Sequence, residues 1–127
     1  MPYKFIEDVT LADVAFEATG KTLEEMFESA ALAVTNTMVK NLDSIKHKIK
    51  KKIIVKSDKI DMLLFNFLQE LVFYKDSQKL LFNKFSITIN KKPLKISCIA
   101  EGEELDPKKH ELLVDVKAVT FHKFNVD

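Results

Sequence analysis

The sequence predicts an α+β fold, an α/β sandwich whose antiparallel or mixed sheet carries two helices packed on one face. Three observations point there. Two long stretches repeat apolar residues with the helical period, at Leu23–Met38 and from about Ser57 to Tyr74. Shorter stretches before, between and after them alternate with the period of a strand. The resulting order is β, β, α, β, α and then several β, and it includes a hairpin signal, which favours antiparallel pairing.

The elements follow in chain order. "YKFIE" is a short alternating strand. "DVAFEAT" sets Val14, Phe16 and Ala18 against Ala15, Glu17 and Thr19, as a half-buried strand does, and Gly20 breaks it. "TLEE" is a capping box, in which Thr22 accepts from the helix N-terminus while Glu25 reaches back. The helix behind it lines up Leu23, Met26, Phe27, Ala30, Ala31, Val34 and Met38 on one face. "KIKKKIIVKS" is a strand with Ile53 and Val55 inward and lysines outward. Ser57 or Asp58 is the expected cap of the second helix, which carries Leu63, Leu64, Phe67, Leu68, Leu71 and Val72. Met62, Phe65 and Phe73 extend its apolar surface most of the way round, so it is expected to be touched from more than one side. "FSITIN" turns through "KKP" into "LKISCIAEG" as a hairpin, "EELDPKKHEL" is a loop, and "LVDVKAVTFHKF" is a further strand.

At 127 residues the chain is expected to form a single domain, residues 1–127, able to bury a real core. No apolar run approaches the length of a membrane span, and "MPYKFIEDVT" lacks the basic start and apolar block of a signal peptide. A cytoplasmic protein with no membrane partner is the expectation. Cys98 is the only cysteine, which excludes an internal disulfide and a cysteine-built zinc site. Its plain reading is a small buried hydrophobe on a strand.

Charge is unevenly spread. Residues 1–45 hold eight acids against three lysines, whereas residues 46–59 hold seven lysines against Asp58. All 20 basic residues are lysine, and without arginine's bidentate fork a sequence-specific reader of phosphate or guanine is disfavoured. The lysine run reads as a solvated strand face that guards a sheet edge, with an RNA-facing patch as the alternative. No aromatic residues interleave with it to form a stacking platform.

Little here builds an enzyme. Two glycines cannot supply a phosphate-binding loop, and no serine sits in a nucleophile elbow. His47 lies in the lysine run and reads as solvated. His110 lies in a loop and reads as a local cap or hydrogen-bond partner, and His122 as a structural hydrogen bond late in a strand. An enzyme built on Cys98 or His122 is the residual catalytic reading. Asp13 stands out because a carboxylate beside an apolar run is costly to bury alone. It can cap a turn, form an ion pair or bind a hard cation through oxygen; Asp8 stands near it in sequence, with Lys117 and His122 at the far end of the chain.

The stretch "FIEDVTLADVAFEATGKTLEEMFESAALAV", with "MVKNLDSI", "LLFNFLQELVFYKDSQKLLFNKF", "EGEELDPKKHEL" and "VKAVTFH", closely resembles the archease proteins over nearly the whole chain. The resemblance implies a protein cofactor, not an enzyme, that acts with RtcB-type tRNA-splicing RNA ligases, promoting their guanylylation and repeated turnover. A tRNA cytosine methyltransferase is a second implied partner, with RNA contact indirect or weak. A chaperone that binds RNA or protein and modulates such a tRNA-modifying enzyme is the alternative function. The family's metal-binding aspartate of T-A-D falls on Asp13 in "LAD", implying a divalent cation such as calcium. The lysine and histidine of V-K-A-V-T-[YF]-H fall on Lys117 and His122, implying a ligase-activating surface. Two departures matter: "EDVTLAD" replaces the frequent H-T-A-D, with Asp8 near the histidine's region. The chain also stops at "FNVD", before the family's closing strand with the remaining metal ligands, which is therefore expected to be missing.

Overall fold

The computed structural model describes residues 21–113 in full and, outside that range, the backbone of Tyr3–Phe5, Asp13–Val14, Phe16–Ala18 and Ala118–Val119. In chain order these are β1 (Tyr3–Phe5), β2 (Asp13–Val14), β3 (Phe16–Ala18), α1 (Leu23–Met38), β4 (Ile49–Lys56), α2 (Ile60–Gln78), β5 (Leu80–Lys91), β6 (Leu94–Glu104) and β7 (Ala118–Val119). A single 3₁₀ turn, Leu42–Ser44, links α1 to β4. The expected α+β class holds. β4, β6 and β5 form an antiparallel sheet in that spatial order, and both helices pack on its inner face. β1–β3, antiparallel, and β2–β7, parallel, are two separate two-stranded pairs, so the three-stranded sheet itself is antiparallel and not mixed.

α1 begins as its sequence dictates. Thr22 Oγ1 accepts from the Glu25 N–H at 3.1 Å, and Glu25 Oε2 accepts from the Thr22 N–H at 3.2 Å. The two reciprocal bonds satisfy donors that a helix start otherwise leaves orphaned. Its buried face is Met26, Phe27, Ala30, Ala31, Val34 and Met38, with Leu23 at the margin. Phe27 stacks on Phe67 of α2 with ring centroids 6.3 Å apart, and Phe67 meets Phe85 of β5 edge-on at 6.4 Å. This aromatic line joins the helices to the sheet at the centre of the core.

α2 departs from its expected ends. Its N-cap is Lys59, without a side-chain cap, in place of Ser57 or Asp58. Its C-terminus is Gln78, a full turn beyond Tyr74. Lys79 stops it in the left-handed region at φ 57°, its N–H bonded to the Lys75 and Tyr74 carbonyls. A glycine usually fills that position, so the stop carries no signal in the sequence. α2 touches all three sheet strands as well as α1 and β7, as its broad apolar surface suggested, yet Phe73 is 55% exposed and Met62 39%.

Two further corrections concern strands. "DVAFEAT" does not form one strand: β3 pairs antiparallel with β1, whereas β2 pairs parallel with β7. The segment therefore serves two different partners. β5 also starts earlier than "FSITIN", at Leu80, and its register shifts between Phe82 and Lys84. Such a bulge re-aims the extra residue. Asn83 here donates to the Leu42 and Ile45 carbonyls at 2.8 and 3.0 Å and bonds the His47 ring, fastening the crossover from α1 to β4. Thr35 of α1 donates to the neighbouring Phe82 carbonyl at 2.7 Å. His47 is thus exposed as expected, but it is hydrogen-bonded through Nε2.

The bulge accounts for Gly102. It pairs with Ile49 on one side and Phe82 on the other, and a Cβ there would be driven into the Leu81 carbonyl. Backbone at that site cannot yield cheaply. Gly102→Ala is expected to destabilise the fold by about 1–3 kcal/mol, the range of overpacked interiors. Urea unfolding checks it: a reduced midpoint with an unchanged slope is the expected outcome.

Candidate functional site

Asp13 opens β2, and its Cα partner on β7 is Ala118; Val14 pairs with Val119. The second and last described strands, β2 and β7, are therefore side by side, and Asp13 lies against the residue that follows Lys117 in the chain. Lys117 and His122 themselves lie outside the described residues, as do Asp8 and the end of the chain expected to lack the closing strand. The side chain of Asp13 also lies outside them.

The approach to β7 is described, and it is fastened at several points. Leu112 forms a bridge with Val39 just past the end of α1. The Leu113 N–H donates to the Met38 carbonyl at 2.8 Å, and the Lys40 N–H to the Glu111 carbonyl at 2.9 Å. These bonds hold residues 111–113 against the C-terminus of α1, four residues before Lys117.

Immediately upstream is a buried polar cluster that sequence reasoning treated as a loop. Glu103, near the end of β6, is 5% exposed and His110 is 1% exposed. The Glu103 carboxylate accepts from His110 Nε2 at 2.9 Å, from Lys109 Nζ at 2.7 Å and from the Lys46 N–H at 2.9 Å, with Lys48 Nζ at 3.8 Å. His110 Nδ1 accepts from the Asp106 N–H at 2.9 Å, so the ring hydrogen sits on Nε2 and is donated to Glu103. Burial alone would raise the Glu103 pKa. The hydrogen bonds from Lys109, the Lys46 backbone and His110, together with the charge of Lys109, outweigh it and hold the carboxyl at about 2. Both imidazole nitrogens are committed, so His110 is a clasp and not a free base. The sequence signal was its place in "EGEELDPKKHEL"; a local hydrogen bond was expected, its burial against a carboxylate seven residues earlier was not.

Cys98 is 1% exposed on β6. Burial first, and then the charge of Glu28, push its thiol up to about 12. A thiol that stays protonated at neutral pH is no nucleophile, which removes the cysteine-based catalytic reading. Among the described residues no group of three or more His, Cys, Asp or Glu is gathered to hold a metal, and no described helix is long and apolar enough to cross a membrane.

Comparison with known proteins agrees with this architecture. The sequence profile of the Archease protein family (MTH1598/TM1083) matches residues 3–127. The chain is 36% identical to the protein archease of Pyrococcus abyssi over 118 residues, covering 91% of this chain and 82% of that one. It is 38% identical to the protein archease of Sulfurisphaera tokodaii over 127 residues, covering 98% of this chain and 88% of that one. The solution structure of Methanobacterium thermoautotrophicum protein 1598 superposes with a TM-score of 0.80 at 38% identity, covering 96% of this chain and 86% of that one. A profile match over nearly the whole chain, relatives well above 30% identity and a shared fold lead to one conclusion: this chain belongs to the archease family.

Proposed function

We propose that this protein is a non-catalytic activator of an RtcB-type RNA ligase in tRNA splicing or RNA repair, acting in the cytoplasm. It docks beside the ligase active site, promotes guanylylation and permits repeated turnover. The observation that supports this reading is the β2–β7 pairing, which sets Asp13 beside the residue following Lys117. Those are two of the three positions that the family resemblance assigns to the cation and to the ligase-activating surface; His122 is the third.

A divalent cation such as calcium is part of the proposal. Asp13 offers the hard oxygen donor that calcium prefers, but calcium takes six to eight oxygens, so one carboxylate does not complete a site. The cation, when bound, supplies positive charge and fixed geometry at the head of β2. The chain's own contribution is to hold Asp13 in a strand and to anchor the segment leading to Lys117 through the bonds of residues 110–113.

The test is a guanylylation time course of the cognate ligase with and without this protein. Acceleration is expected, and Lys117→Ala is expected to fold normally while losing most of it, on the order of tenfold or more, as for loss of one charged group at a reacting centre. No acceleration by the unmutated protein, or normal acceleration by Lys117→Ala, would count against the reading.

A further inference from the structure

The outer face of the β4–β6–β5 sheet is open, and the register says which side chains share it. Lys50, Glu101 and Lys84 form one cross-strand row; Lys52, Ile99 and Ser86 the next; Ile54, Ser97 and Thr88 the third; Lys56, Lys95 and Asn90 the fourth. The inner face buries Ile53, Cys98, Ile96, Ala100 and Phe85. Lys51 falls on the inner row with Ala100 and Phe85, half-buried, so the lysine run does not lie wholly outward as the sequence suggested.

Five lysines and one carboxylate thus occupy a single face of a chain whose net charge is +1. Glu101 is shared between Lys50 at 3.7 Å and Lys84 at 3.6 Å. Lys52, Lys56 and Lys95 have no ion-pair partner among the described residues. Lys56 and Lys95 are direct Cα partners across β4 and β6, and like charges directly opposite one another destabilise a sheet. Lys91, at the end of β5, and Lys92 of the hairpin turn add to the same end, which also carries Asp58.

The ligand chemistry follows from what surrounds these lysines. Ser86, Thr88, Ser97 and Asn90 supply small hydrogen-bond donors between the cations. No aromatic side chain stands on the face, so bases have nothing to stack on, and no arginine is present to read a base edge. Ile54, 50% exposed, and Ile99, 37% exposed, form a small apolar spot beside Lys52. Positive point charges with interleaved hydroxyls fit a chain of phosphates.

We propose that this open sheet face binds the phosphate backbone of a nucleic acid, without base specificity, through Lys52, Lys56 and Lys95. The proposed contacts use neither Asp13 nor Lys117, and the proposal stands whether or not the ligase role does.

Fluorescence anisotropy with a labelled oligouridine and with a mixed-sequence RNA duplex tests it at a series of salt concentrations. Binding to both is expected, with log K falling against log salt at a slope of about −2 to −3, as for three or four neutralised phosphates. The variant Lys52→Gln/Lys56→Gln/Lys95→Gln is expected to keep its melting temperature, to bind about tenfold more weakly and to reduce the slope by about 2. Lys79→Gln/Lys108→Gln, away from the face, is expected to bind as the unmutated protein does. No binding at about 50 mM salt, or equal loss in both variants, overturns the proposal. Equally tight binding to polyglutamate assigns the face to an acidic protein instead, and binding to anionic vesicles but not to RNA assigns it to lipid; either result overturns it. Guanylylation measured without RNA separates the two readings, because the triple variant is expected to accelerate it normally.

Discussion

Glu103→Ala is expected to lower stability by about 3–5 kcal/mol, the cost of removing one partner from a buried charged network. The substitution strands His110 Nε2 and the Lys46 N–H without an acceptor and leaves the Lys109 ammonium beside them unpaired. Thermal or urea unfolding reads the loss. Glu103→Gln separates charge from hydrogen bonding: its amide oxygen can still accept from His110 or Lys46, so a smaller loss is expected. If Glu103→Ala unfolds like the unmutated protein, the cluster is not a clasp.

The same carboxylate predicts an acid limb of stability. Its pKa is about 2 in the folded protein against an ordinary value of 4.5, so the folded state favours the charged form. The contribution is fully present above about pH 4.5 and is lost as pH falls toward 2. Full linkage would be roughly 3 kcal/mol, reduced toward about 1–2 because the exposed Lys48 keeps one side of the cluster near water. A series of unfolding curves from neutral pH downward should show this slope, and Glu103→Gln should flatten it.

The place of the clasp gives this a functional edge. His110 is followed directly by the residues that pair with Val39 and bond the end of α1, and Lys117 comes four residues later. Loosening Glu103 therefore frees the stem of the segment that carries Lys117. On the proposed ligase role, partial loss of activation in Glu103→Gln, at a temperature where the protein stays folded, is the expected consequence.

The parts of this fold that were legible in the sequence are those written in local chemistry. Thr22 and Glu25 spell a capping box, and the apolar α1 face from Met26 to Met38 keeps the helical period. The β5–β6 hairpin is bracketed by its "KKP" turn. What escaped reading depends on tertiary context. Lys79 adopts a left-handed conformation that nothing in a lysine announces. Asn83 is displaced by a bulge that forms only once β6 pairs with β5. His110 looks like a polar loop residue until Glu103 is placed seven residues upstream against it. "DVAFEAT" alternates as one strand does, and only the long-range partners β1 and β7 divide it. For the site, composition left Asp13 among three readings, and the family resemblance chose between them; no local pattern in "LAD" announces a pairing with Ala118, more than 100 residues later.

Those three readings can be separated experimentally, and the proposed ligase role makes the effect large. Asp13→Ala is expected to lose most of the acceleration of guanylylation, and all of any calcium-dependent rise in melting temperature, while the helices and the β4–β6–β5 sheet remain folded. For the unmutated protein the rise corresponds to about 2.7 kcal/mol at calcium one hundred times its dissociation constant. Asp13→Asn then discriminates. Asparagine caps turns and helix starts about as well as aspartate, so a capping role predicts that Asn restores function. A cation site predicts that Asn behaves like Ala, because the charge is gone and with it most of the affinity for a hard ion. An ion pair with Lys117 predicts a third pattern, in which Asp13→Asn and Lys117→Ala each cost activity but the double variant costs no more than either, since residues in contact are not additive. The proposal requires the second pattern: loss in Asn equal to loss in Ala, no calcium shift in either, and an independent further loss on removing Lys117.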